Sequence, residues 1–135
     1  LTPHDAEFAV LTGHRPQPDR LADTRAAAHR LGAVVLLKGP ATVIAAPDGR
    51  VLVTTTGDSR LATAGTGDVL AGTIGALLAA GIEPLWAAAM GSWLHGRAAQ
   101  RGLPSGLVAG DLPELLAREM AELAETEATR APDVG

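Results

Sequence analysis

The chain contains no cysteine. Disulfides, thiolate nucleophiles and cysteine metal sites are therefore excluded, and the absence fits a cytoplasmic protein. Tyrosine is also missing, and one Phe and two Trp are the only aromatics. The core must be assembled from Ala, Leu and Val. No Lys/Arg run occurs, the formal net charge is −4, and basic and aromatic residues are not interleaved. Together these argue against a nucleic-acid partner. No stretch approaches the roughly 18–20 apolar residues of a membrane span. The best candidate, residues 69–82, is too short and carries three glycines, so no membrane partner is expected. No signal-peptide pattern opens the chain. Leu1 is not an initiator methionine, so the sequence is expected to be cut from a longer one. What is present fits a folded domain or a large piece of one: 135 residues, 47% of them hydrophobic.

Local signals give an element order. Thr2 or Asp5 is placed to cap a short helix over Ala6–Leu11, which Gly13 and Pro16 break. Pro18–Leu31 reads as a second helix, with Leu21, Ala28 and Leu31 at helical spacing and Gly32 as C-cap. Ala33–Lys38 is an unalternated apolar run that suits a strand buried on both faces, as in a parallel sheet under helices. Thr42–Ala46 and Arg50–Thr56 flank Pro47-Asp48-Gly49, a hairpin signal, so a three-strand meander is predicted. Helices are predicted over Val69–Ala80, from Pro84 to about Arg101, and from Leu112 to about Leu123 behind an Asp111 cap. The organisation is a domain over residues 1–123 and a flexible tail over 124–135. The class is layered α/β. A three-stranded sheet is small for this many helices, so a missing N-terminal half or another chain is expected to complete it.

The chemistry concentrates in Thr63-Ala64-Gly65-Thr66-Gly67-Asp68, which runs directly into a helix. Gly65 and Gly67 let the backbone turn sharply and approach a ligand. The helix start behind them presents unpaired N–H groups and partial positive charge, a site for phosphate or a developing anion. Asp68 either caps that helix or acts as a base toward a bound hydroxyl. Spacing alone does not separate these two roles, because the turn is neither a P-loop nor GxGxxG. Lys38 has the alternative of a lysine snorkelling from a strand end. Asp5 and Glu7 read as helix N-terminal carboxylates, and Asp58 with Arg60 as a surface ion pair. His14, His29 and His95 lack metal-ligand spacing and read as structural. No metal site is identified.

The same turn resembles the GxGD turn of the ribokinase-like superfamily, and within it the ADP- or ATP-dependent NAD(P)H-hydrate dehydratases. Residues 1–8 resemble that family's LTPHPGE block, residues 37–44 its VLKGxxTVI block, and residues 61–72 its MATAGTGDVLAG block. Weaker echoes lie at residues 95–99 and 106–112. The resemblance implies the C-terminal portion of a ribokinase-like (Rossmann-like) fold, a small sheet flanked by helices. It implies repair of hydrated NADH or NADPH: the nucleotide phosphorylates the added hydroxyl, and phosphate then leaves as the double bond returns. Carried onto this chain, Asp68 would be the catalytic base and would contact substrate with His4. Lys38, Gly39, Pro40, Ala41, Thr42 and Gly67 would hold ADP or ATP. Gly65, Thr66 and Gly67 would form the anion hole, and Mg²⁺ would accompany the phosphates. Departures are Asp5-Ala6 for the block's Pro-Gly, and residues 57–61 for Gly-Asn-x-Gly-Met. The family domain is about twice this length, and a homo-oligomer is expected to cover the truncated sheet and the Ala/Leu helix faces. Two other readings stay open: a ribokinase-like kinase for a small vitamin-precursor alcohol, and a catalytically silent nucleotide-binding fragment.

Overall fold

The computed structural model describes residues 1–57, 59–102 and 104–130. Three short strands, β1 (Val35–Leu37), β2 (Thr42–Ala45) and β3 (Val51–Thr54), form an antiparallel meander in the order β1-β2-β3. Leu36 pairs with Ile44 and Val43 with Val53. Gly49, at φ 92°, closes the β2–β3 turn. The parallel sheet that the Ala33–Lys38 run suggested is not what these strands form, since both pairings are antiparallel; the parallel contact of β1 is with the chain start. The Leu1 amino group donates to Val34 O (2.9 Å), Leu36 N–H to Leu1 O (2.8 Å) and Lys38 N–H to Pro3 O (2.9 Å). These bonds advance in step along both segments, so residues 1–3 run parallel to β1.

Helices cover both faces of this sheet. Alternation along β1 sends Val35 and Leu37 to one side and Leu36 to the other. On the first side they meet Phe8 of α1 (Asp5–Thr12) and Ala27 and Ala28 of α2 (Arg20–Leu31). On the second, Leu36 and Ile44 meet Leu70 and Ile74 of α3 (Thr66–Ala79) and Leu85, Ala87 and Ala88 of α4 (Pro84–Arg101). Small residues let α3 and α4 come close: a Cβ added to Gly91 would lie 2.6 Å from Ile74 Cγ1. Leu94, Ala98 and Ala99 of α4 then pack on Leu112 and Leu116 of α5 (Leu112–Arg130). Among the described residues, no helix is long and apolar enough to cross a membrane.

Several local expectations shift. The cap of α1 is neither Thr2 nor Asp5. The His4 ring accepts from Ala6 and Glu7 N–H, while Glu7 bonds back to His4 N–H. The buried face of α2 is Thr24, Ala27 and Ala28; Leu21 and Leu31 are exposed, because a sheet this narrow covers only a thin stripe of the helix. Asp19 caps α2 through Ala22 N–H (2.9 Å). The final helix runs past Leu123 to Arg130, with residues 121–129 exposed. Its run of Glu, Ala and Arg has high helix propensity and so extends beyond the last packed residue.

Glu119 of α5 faces α4, and its side chain is 1% exposed. It is bonded to Arg97 (3.0 Å) and to Arg101. Burial pushes its carboxyl up, but the Arg101 and Arg97 guanidiniums outweigh burial and hold it below the usual range. Glu119→Gln is expected to cost about 1–3 kcal/mol at pH 7, nearer the lower figure because Arg97 is 42% exposed. As pH falls the unfolded carboxyl takes its proton first. The stabilisation is therefore complete above about 4.5 and is lost as pH falls through the lower folded value. Thermal melts from pH 7 to pH 3 should fall more steeply for wild type than for Glu119→Gln.

Candidate active site

The chain start, β1 and β3 all end at one rim of the sheet, where β2 begins. The loops leaving them, residues 38–41, 55–57 and 59–65, line with α1 a cavity of about 1160 Å³. Carboxyl ends of strands are where open α/β sheets place their ligands.

The glycine turn forms one wall. Gly65, at φ 85°, is the N-cap of α3 and makes no side-chain cap bond. The helix therefore starts at Thr66, not at Val69 as predicted, and Asp68 is its third residue. The capping role for Asp68 falls away. Its carboxylate is exposed on the cavity wall and has no partner among the described residues. Thr66 is 4% exposed, and its hydroxyl donates to Leu61 O (2.6 Å) and Thr63 O (2.8 Å). Its N–H also turns to Thr63 O, at 3.4 Å. The hydroxyl thus braces the turn. Among the described residues, the N–H groups of Gly65 and Gly67 have no backbone partner.

Lys38 closes on this wall from β1. A Cβ on Gly67 would sit 3.2 Å from Lys38 Nζ, which puts the ammonium against the turn. The same ammonium is 3.4 Å from Glu7 Oε2. Glu7 is held below the usual carboxylate range, foremost by the His4 N–H bond and also by Lys38. His4, Gly39, Pro40 and Thr42 line the cavity as well; Ala41 is exposed and off its wall. Thr42 is nearly buried, and its hydroxyl reaches Gly39 O at 3.5 Å. The sequence-predicted residues are thus brought to one cavity, Ala41 excepted. The predicted Asp58–Arg60 pair involves Asp58, which lies outside the described residues.

Three cavity residues escaped the sequence reading as parts of a site. Arg20 reaches in from α2, a contact across 18 residues that leaves no local signal. Glu7 belongs to a capping box, but histidine at its first position is not the usual signature. His95 of α4 is 5% exposed, with its Nε2 buried and, among the described residues, unpartnered. Burial lowers its pKa, partly offset by a bond to the Thr66 backbone, so a neutral imidazole backs the turn. Among the described residues no three His, Cys, Asp or Glu side chains gather to hold a metal.

Known proteins resemble the chain. The sequence profile of the NAD(P)H-hydrate dehydratase family matches residues 1–122. Over 120 residues the chain is 47% identical to the ADP-dependent (S)-NAD(P)H-hydrate dehydratase of Neisseria meningitidis, a match covering 83% of this chain and 40% of that protein. Over 99 residues it is 54% identical to a bifunctional NAD(P)H-hydrate repair enzyme of Mycobacterium leprae, covering 73% and 21%. Its fold superposes with a TM-score of 0.84 on the ADP/ATP-dependent NAD(P)H-hydrate dehydratase of Bacillus subtilis co-crystallised with ATP and Mg²⁺, at 36% identity, over 90% of this chain and 47% of that one. A ribokinase-like superfamily protein of Enterococcus faecalis superposes with a TM-score of 0.74 at 27% identity. The chain spans less than half the length of each.

Proposed function

The chain belongs to the NAD(P)H-hydrate dehydratase family, with its ribokinase-like layered α/β fold, and from that premise we propose that it supplies the C-terminal half of an enzyme that repairs hydrated NADH or NADPH at the expense of ADP or ATP. The observation that carries this is the trio at the glycine turn: an exposed Asp68 carboxylate on the cavity wall, the Gly67 N–H beside it, and the Lys38 ammonium against Gly67.

Asp68 takes the proton of the ring hydroxyl as its oxygen attacks the terminal phosphorus of the nucleotide. The bond from that phosphorus to the bridging oxygen breaks, leaving AMP or ADP. Gly65 and Gly67 N–H groups, with Lys38, balance charge on the transferring phosphoryl group, a preorganised arrangement that costs no rearrangement at the moment of reaction. Phosphate and a proton from the adjacent ring carbon then leave, and the double bond returns. His4 faces the hydrate, and Lys38, Gly39, Pro40 and Thr42 face the nucleotide. Magnesium would be held chiefly by the nucleotide's phosphate oxygens and water, since among the described residues no cluster of carboxylates gathers at the turn beside Asp68. An N-terminal half of the same protein would complete the sheet beside residues 1–3. A homo-oligomer would cover exposed side chains such as Trp86 and Met90.

The test is direct. The full-length protein, given hydrated NADH or NADPH with ADP or ATP, should restore the absorbance of reduced nicotinamide. Phosphorylation of a vitamin alcohol without that recovery would make it a kinase instead. ADP binding with neither reaction would make it a silent nucleotide-binding module.

A further inference from the structure

We propose that Arg20 is a positioning residue for the nucleotide loop, gripping Lys38 by its main chain while Glu7 grips it by its side chain. This rests on the reading above, in which Lys38 and Gly39 hold the nucleotide. The Lys38 carbonyl accepts from Arg20 Nη2 at 2.9 Å, and Arg20 Nη1 donates to Asp5 Oδ1 at 2.9 Å. The Lys38 ammonium lies 3.4 Å from Glu7 Oε2, and that same oxygen accepts His4 N–H at 2.7 Å. Asp5 and Glu7 both lie in the first turn of α1. Two carboxylates of one helical turn thus fix both ends of one lysine, one of them through Arg20.

The fork is what makes this possible. A guanidinium offers donors in two fixed directions, so it can bridge a carboxylate and a carbonyl at once, which an ammonium does with less geometric control. Arg20 Nε is buried without a partner among the described residues, so the two Nη groups carry the grip. The fit is close: a Cβ on Gly39 would lie 3.0 Å from Arg20 Nη2. The Arg20 side chain is 28% exposed, partly shielded from water, where charged hydrogen bonds gain strength. Arg20 belongs to none of the three apolar clusters. Its loss therefore frees the path of Lys38 and Gly39 while leaving the core intact.

Calorimetric titration with ADP and steady-state kinetics of the full-length protein test this in Arg20→Gln, Arg20→Lys and Asp5→Ala. Arg20→Gln should weaken ADP binding and raise the nucleotide KM about tenfold, the scale of one charge-assisted bond. The KM for the hydrate should stay within about twofold, kcat should fall because Lys38 also faces the transferring phosphoryl group, and Arg20→Lys should recover part of the loss. Asp5→Ala, at a half-exposed side chain, should weaken ADP about threefold and decides the matter if Arg20→Gln does not fold. Unchanged ADP affinity in these variants, against a wild type that binds, overturns the clamp alone. So do equal losses in both KM values accompanied by a lower Tm, which mark a purely structural role. A wild type that binds no nucleotide overturns the functional reading and the clamp with it.

Discussion

Asp68→Asn is expected to lower kcat for hydrate repair by about a thousandfold, in the range general bases contribute, while ADP binds within about threefold of wild type. The amide has nearly the shape of the carboxylate but takes no proton at neutral pH. The hydroxyl would have to attack phosphorus while still protonated. Nucleotide binding should persist because the contacts proposed for it, from Lys38, Gly39 and the turn N–H groups, do not involve the Asp68 side chain. The fold should persist too. Gly65 caps α3, so Asp68 contributes to that helix only through its charge in the first turn, worth about 0.3–1 kcal/mol. Stopped-flow or steady-state recovery of reduced nicotinamide, with ADP calorimetry on the same variant, checks both halves. Turnover within tenfold of wild type would show that Asp68 is not the base.

That expectation depends on a distinction the sequence does not make. Read locally, Asp68 follows a glycine turn and precedes an apolar run, which is also how a capping aspartate looks. The difference is where the helix begins. Gly65 in a left-handed conformation starts α3 three residues earlier, and this placement depends on Thr66 burying its hydroxyl against Leu61 and Thr63. The elements governed by near neighbours were legible: the Asp48-Gly49 hairpin, the Gly32 cap, Pro84 opening α4. Those governed by distant partners were not. Leu21 and Leu31 have helical spacing but no sheet above them. His4 caps α1 with its ring, a role that propensity assigns to shorter side chains. Lys38 was legible as a cavity residue through its resemblance to a family block. What holds it, Arg20 and the α1 carboxylates, is assembled only when α1, α2 and β1 converge. The residues that line the cavity were thus readable where they fall in contiguous motifs, and their supports were not, because supports are long-range contacts.

Gly96, another long-range contact, has a measurable consequence. Gly96→Ala is expected to destabilise the protein by about 2–3 kcal/mol, the upper range for overpacking. A Cβ there would lie 2.4 Å from both the carbonyl oxygen and the hydroxyl of Thr56. One of those atoms belongs to backbone, so no rotamer change relieves the clash. α4 must lift or the exit of β3 must move. Either shift strains Thr56 Oγ1 on Trp93 O (3.4 Å) and Gln100 on Thr56 O (3.4 Å). It also disturbs Gly57, where a Cβ would meet Pro40 O at 2.9 Å, and so transmits to the loops that line the cavity. Tm should fall by about 10 °C, and kcat should fall with it. Gly75→Ala is the control. Gly75 lies in α3, is exposed, and has nothing within 4 Å of where a Cβ would stand. There the substitution only restricts the unfolded chain and should stabilise by about 0.5–1 kcal/mol. Opposite shifts in Tm from two Gly→Ala changes separate contact from propensity. If Gly96→Ala melts with wild type, the close approach of α4 to the end of β3 is wrong, and with it the wall that His95 and Gly96 give the cavity.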